Sequence, residues 1–245
     1  MRFPLLLALL GSSLAAVAGP PGYHSPRRLL TPSGQPYRRL PLRLNLGING
    51  GYYNGDLTSS FSDNTLRVGV QVGLAKTLSP HLTFAADLAS VNLKATDFTP
   101  ARGYSFTSNN AVLTGRLQYN IFADKSMYIG PKHQEMPVLV YVEAGLGAML
   151  FNPQASQYGV GLPHEGRNSY PALAGVLPFG GGVTLRASKR LAFTLEGLYY
   201  LTTTDLLDDI SERGNPKKLD DFATLAVKAE FSLGKAKKKP LVRND

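Results

Sequence analysis

The stretch VLVYVEAGLGAML, residues 138–150, alternates with a period of two. Val138, Val140, Val142, Ala144, Leu146, Ala148 and Leu150 fall on one side, opposite Tyr141, Glu143, Gly145 and Gly147. Successive side chains of an extended strand point to opposite faces, whereas a helix would bring apolar residues round every 3.6 positions. This is a strand with one apolar face. The same rhythm returns in LRLNLGI from Leu42, LRVGVQVGLA from Leu66, LTFAADLASV from Leu82 and LTGRLQYNI from Leu113. FGGGVTLR from Phe179, LAFTLEGLYYL from Leu191 and ATLAVKAEFSL from Ala223 continue it. Eight such segments joined in series predict an eight-stranded antiparallel β-barrel.

The composition of the second face decides which kind of barrel this is. A soluble, lipocalin-like barrel turns its apolar face inward and covers its outside with lysine and glutamate. Here the polar face is mostly Gly, Ala, Thr, Asn and Gln, with about one charge per strand. An eight-stranded barrel is just wide enough inside for side chains to fill, which suits small residues and a few paired charges. The Leu-, Val- and Phe-rich face then meets lipid. The expected fold is a transmembrane β-barrel with a plugged polar lumen. Its charges are Arg43, Arg67, Arg116, Arg186 and Lys228 against Asp87, Glu143, Glu196 and Glu230, which can largely neutralise one another.

The flanking segments fit export. Residues 1–18 combine Arg2, an apolar run broken by Gly11, Ser12 and Ser13, and an Ala16-Val17-Ala18 cleavage pattern, which reads as a signal peptide. Residues 19–40, with four arginines and prolines at 26, 32 and 36, read as a flexible basic leader, and residues 234–245 as a basic tail. Between them, residues 41–233 make the barrel. Much of the net charge of +9 lies in these two ends, and the chain has no cysteine for disulfides or a lipid anchor. An exported chain without a nucleic-acid-binding module is not expected to bind nucleic acid. Outer-membrane lipids and lipopolysaccharide are the expected surroundings.

Connections alternate in length. YYNGDLTSSFSDNT, KATDFTPARGYSFTSNN, FNPQASQYGVGLPHEGRNSYPALAGV and TTTDLLDDISERGNPKKLDD are long; KTLSPH and ASKR are short, and ADKSMYIGPKHQEMP is intermediate. Outer-membrane barrels keep short turns in the periplasm and long loops outside, so both termini are expected in the periplasm of a bacterial outer membrane. Tyr52, Tyr53, Tyr104, Tyr119, Tyr199 and Tyr200 lie near strand ends, where aromatic girdles form.

The last long loop carries Asp205, Asp208 and Asp209. Carboxylates on an outer loop are readily solvated, and the glycine and spaced acids of a calcium loop are absent, so neither a metal nor another cofactor is expected. An enzyme would need a base near a nucleophile or a second carboxylate. Of His24, His81, His133 and His164, only His164 shares a predicted side with these aspartates, and no nucleophile-elbow or His-Glu-x-x-His motif occurs. No catalytic residue is therefore expected; a small barrel enzyme at the outer rim, or a soluble lipid-binding barrel, is the alternative.

Five stretches in order resemble the PorG-like outer-membrane barrels of Bacteroidetes, some of which serve the type IX secretion system. GGYYNGDL (50–57) is similar to that family's first strand end, with Gly55 and Asp56 matching its Gly-Asp-Leu. GLGAMLFNPQA (145–155) and PFGGGV (178–183) resemble two of its strands, and LPHEGRNSYP (162–171) its loop with Glu165 and Gly166. TTTDLLDDIS matches its Thr-Asp-Tyr-Leu-Asp-Asp-Val-Ser signature at Asp205, Leu207, Asp208, Asp209 and Ser211, with Leu206 in place of the tyrosine. The resemblance spans about residues 46 to 212 and implies a structural role in protein transport. The barrel would anchor periplasmic ring proteins of a secretion machine to the outer membrane, and the family motifs would mark the outer loops and rim.

Overall fold

A computed structural model describes residues 29–54, 63–97, 99, 102–163, 170–204, 206–207 and 220–234. Eight long strands follow one another: β1 (Arg43–Asn54), β2 (Val68–Thr77), β3 (Leu82–Thr96), β4 (Tyr104–Asn120), β5 (Val138–Gln157), β6 (Ala172–Arg186), β7 (Leu191–Thr202) and β8 (Asp221–Ser232). Each pairs antiparallel with its neighbour in sequence, and β8 pairs back onto β1 from Ser232↔Arg43 to Asp221↔Asn54. The sheet is closed, which leaves no long edge open. The turns Leu78–His81 and Ala187–Arg190 lie at the same end as the start of β1 and the end of β8; we call this the lower end.

The predicted faces are as expected over the lower part of the barrel. Leu66, Val68, Val70, Val72 and Leu74 point outward, and Leu66 and Val70 are 73% and 64% exposed. On β5 the outward apolar run goes from Val138 to Leu150. That is roughly 40 Å along a strand, or about 30 Å of height at the usual tilt, enough for a hydrocarbon layer. Inside, glycines make room for long polar side chains. A Cβ on Gly182 would lie 2.6 Å from the Tyr141 hydroxyl oxygen, and one on Gly73 would collide with the Asp87 carboxylate.

Above this band the polarity inverts. Asn152, Gln154 and Ser156 of β5 point outward, while Met149, Phe151 and Ala155 are buried inside. The same switch occurs on β3, where outward Leu88 gives way to Ser90 and Asn92 as Val91, Leu93 and Ala95 turn into the barrel. On β4, Phe106 and Val112 are inside. The upper lumen is therefore an apolar core rather than the polar one expected throughout. β3 to β6 also run well into segments that the alternation assigns to loops. Those segments meet water outside and packed side chains inside, so their apolar residues sit on the opposite parity from the lipid-facing ones below. The tyrosine girdle needs a similar correction. Tyr52, Tyr119 and Tyr199 lie on outward positions, but Tyr53 and Tyr200 are buried in the upper core and Tyr104 packs against it.

The leader is not wholly without structure. Leu29–Leu30 pairs with Pro36–Tyr37 in a short hairpin, with Gly34 at φ +75° in its turn. Pro36 lacks an N–H, but its carbonyl accepts from Ile129 N at 3.0 Å, and Arg38 N donates to Met127 O at 3.0 Å. A proline at a strand edge needs only this acceptor role, so it does not prevent pairing. The signal segment, residues 19–28 and residues 235–245 lie outside the described residues.

Candidate functional site

Strands β3, β4, β5, β7 and β8 each send one charged side chain to the middle of the lumen. Arg116 of β4 is the hub: its Nε lies 2.9 Å from Glu143 Oε2 and its Nη2 3.3 Å from Glu196 Oε1, and the same Nη2 pairs with Asp87. Lys228 Nζ is 2.5 Å from Glu196 Oε1 and 3.9 Å from Asp87 Oδ2. Tyr141 donates its hydroxyl to Glu196 Oε2 at 2.8 Å, and Gln118 donates to Glu143 Oε2 at 3.3 Å. All five charged residues are buried. Three carboxylates thus face two cations, close enough that each charge has an opposite partner in contact.

Two further ion pairs lie below. Arg43 Nη1 is 2.9 Å from Glu230 Oε2, and Thr194 donates to Glu230 Oε1 at 2.6 Å. Arg186 does not reach a lumen acid. It grips Asp124 with both terminal nitrogens, at 2.9 and 2.5 Å, and donates to Ser126 Oγ at 2.9 Å. Asp124 caps the 3-10 turn Lys125–Met127, whose Met127 is fully buried. Spacing had not singled out Asp124; the Asp-x-Ser cap preceding a buried methionine was the available signal. Arg67 departs from the expected network. It precedes β2, is half-buried, and makes no ion pair among the described residues.

Burial pushes the Asp124 carboxyl up, but hydrogen bonds from Arg186, its positive charge and the Ser126 donors outweigh this, and the net displacement is downward. A carboxylate held below its unfolded value contributes stability that is present above that value, roughly 3.9, and lost as pH falls through the folded one. Acidification below that point should loosen the connection between β4 and β5, and Asp124→Asn should remove this part of the acid response. Hydrogen exchange of residues 122–130 across an acid titration is the measurement.

The upper lumen is closed by packing. Tyr53, Leu93, Phe106, Met149, Phe151, Phe222 and Leu207 are at most 1% exposed. Leu207, from the TTTDLLDDIS stretch, is held by its N–H, which donates to Asp220 Oδ2 at 3.0 Å. Asp220 Oδ1 accepts from the Tyr53 hydroxyl at 2.5 Å. Tyr170 donates to Leu206 O at 3.2 Å, joining the loop before β6 to the loop after β7. The other motif residues, Gly55, Asp56, Glu165, Gly166, Asp205, Asp208, Asp209 and Ser211, lie outside the described residues, as does His164. His81 is a strut: its Nδ1 sits 2.9 Å from Asn120 O and its ring stacks on Tyr119.

An apolar belt outside, a bonded charge cluster below and a packed apolar core above define the architecture. The chain is a membrane-spanning β-barrel with a plugged lumen. No family model and no curated protein matches its sequence. Among solved structures the barrel is similar to Neisserial surface protein A, at 12% identity over 78% of this chain and 96% of that one, TM-score 0.44. It is also similar to Ail, the attachment invasion locus protein of Yersinia pestis, at 11% identity over 78% and 98%, TM-score 0.43. The N-terminal β-barrel domain of Pseudomonas aeruginosa OprF gives 9% identity over 79% and 100%, TM-score 0.42.

Proposed function

We propose that this barrel is a non-enzymatic anchor in the bacterial outer membrane, holding a periplasmic assembly of a type IX-like protein secretion complex. The observation that carries the reading is the closed lumen: filled from the Arg43–Glu230 pair up to Leu207, the barrel leaves no path for a solute among the described residues. A closed barrel of this kind can act by holding its ends in place. The start of β1, the end of β8 and the short turns share the lower end, which the usual loop-length rule puts in the periplasm. There the described part of the leader, residues 29–40, presents exposed Leu30, Arg38 and Arg39 beside exposed Ile129 and Lys132. The PorG-like motifs supply the partner class, periplasmic ring proteins. The test combines fractionation, gel mobility before and after heating, and export in a strain lacking the protein. Outer-membrane recovery, heat-shifted mobility and periplasmic retention of secretion substrates are expected. Normal export in that strain would remove the secretion role while leaving the barrel.

A further inference from the structure

Above the apolar band, β3, β4 and β5 continue as a wall whose outer face carries rows of uncharged polar side chains. Asn109 pairs with Asn92 on one side and Asn152 on the other. One step higher, Thr107 pairs with Lys94 and Gln154. Asn109, Asn152, Gln154 and Lys94 are exposed, and the amides of Asn109, Asn152 and Gln154 make no hydrogen bond among the described residues. The inner side of this wall is the packed core around Val91, Leu93, Phe106 and Phe151, so the rows are fixed before anything meets them. Among the described residues the wall is one-sided. On β1, β7 and β8 the strands end near the top of the band, at Asn54, Thr202 and Asp221.

We infer that this wall is a binding ledge for the sugar portion of outer-leaflet glycolipid. The inference rests on the outer-membrane reading above and adds the chemistry of the contact. Continuity decides the occupant: the ledge begins where Leu88, Leu113 and Leu150 end, so the layer against it is the one that covers the hydrocarbon. From Ser90 to Thr96 the wall climbs roughly 20 Å along the strand, about 15 Å in height, beyond the depth of the phosphates. A phosphate-reading surface would carry arginine forks, whereas the ledge has Lys94 as its one cation among these rows. Each amide offers two donors and an acceptor, which matches the paired donor and acceptor of every sugar hydroxyl.

The chain has no cysteine, so Ser156→Cys, at the margin of the ledge, takes a single environment-sensitive fluorophore. The full barrel would be folded into phospholipid vesicles, vesicles with lipopolysaccharide bearing its core oligosaccharide, and vesicles with lipid A alone. An emission shift is expected only with the core sugars. The lipopolysaccharide density giving half the shift should rise about tenfold when Asn109, Asn152 and Gln154 are all changed to Ala, the loss of one or two net hydrogen bonds. No shift in any vesicle, with heat-shifted mobility intact, would overturn the ledge and leave the barrel. An equal shift with lipid A would make the contact one to phosphate and overturn the sugar assignment. Failure to insert into any vesicle would overturn the membrane reading and the ledge with it.

Discussion

Arg116→Met should lower stability by about 3–5 kcal/mol, the usual cost of leaving buried charges without their partner. Arg116 touches Asp87, Glu143 and Glu196, and only Lys228 remains to face all three once it is removed. The methionine fills similar volume, so the effect reads charge rather than cavity. Reversible denaturant unfolding in vesicles measures it. Glu143→Gln is the informative companion. It keeps an acceptor for the Arg116 Nε and removes one negative charge from a cluster of three carboxylates and two cations. Its expected cost is within about 1 kcal/mol, the scale of one hydrogen bond. Glu196 is different, because it takes Lys228 at 2.5 Å and the Tyr141 hydroxyl at 2.8 Å. Glu196→Leu should approach the Arg116 variant. Equal, small effects from all three substitutions would mean that water reaches these groups and that the lumen is not sealed.

These residues also show what a sequence can and cannot disclose about such a barrel. Arg116, Glu143, Glu196 and Lys228 were legible because each interrupts a small-residue face whose opposite face is Leu, Val and Phe. Parity alone put them inside. Parity also concealed the upper core. In Met149-Leu150-Phe151 the lipid-facing run ends and the inward apolar run begins, so three apolar residues are adjacent and the alternation dissolves. Leu88 to Val91 and Val176 to Leu177 are similar crossings on β3 and β6. Read as loss of strand, they are places where lipid gives way to water outside while the inside goes from polar to apolar. Arg186 was placed on the right face, but its partner Asp124 comes from a connection, where no periodicity predicts contact. Pro36 was read as a breaker because its missing N–H is visible in sequence, while the acceptor that makes it useful, facing Ile129 N, is not.

The stretch TTTDLLDDIS yields the second large effect, through its leucine. Leu207 is fully buried among Tyr53, Phe106, Phe151 and Phe222 in the apolar core, at the end of the barrel where the long loops lie. Leu207→Ala should cost about 3 kcal/mol, since transfer and cavity terms add when a packed core cannot collapse. Asp220→Ala should cost a comparable amount by another route, because one carboxylate accepts both the Leu207 N–H at 3.0 Å and the Tyr53 hydroxyl at 2.5 Å. If the aspartate works by holding the leucine in place, the two losses should overlap, and the double variant should cost clearly less than their sum. Hydrogen exchange would locate the damage: faster exchange at Thr202–Leu207 and the upper ends of β1 and β8, with the strands around Arg116 unchanged. Additive losses would separate the latch from the wedge and make Asp220 a support for Tyr53 alone. Calcium should not restore either variant: Leu207→Ala leaves the Asp220 carboxylate engaged on both oxygens, and Asp220→Ala removes that carboxylate altogether.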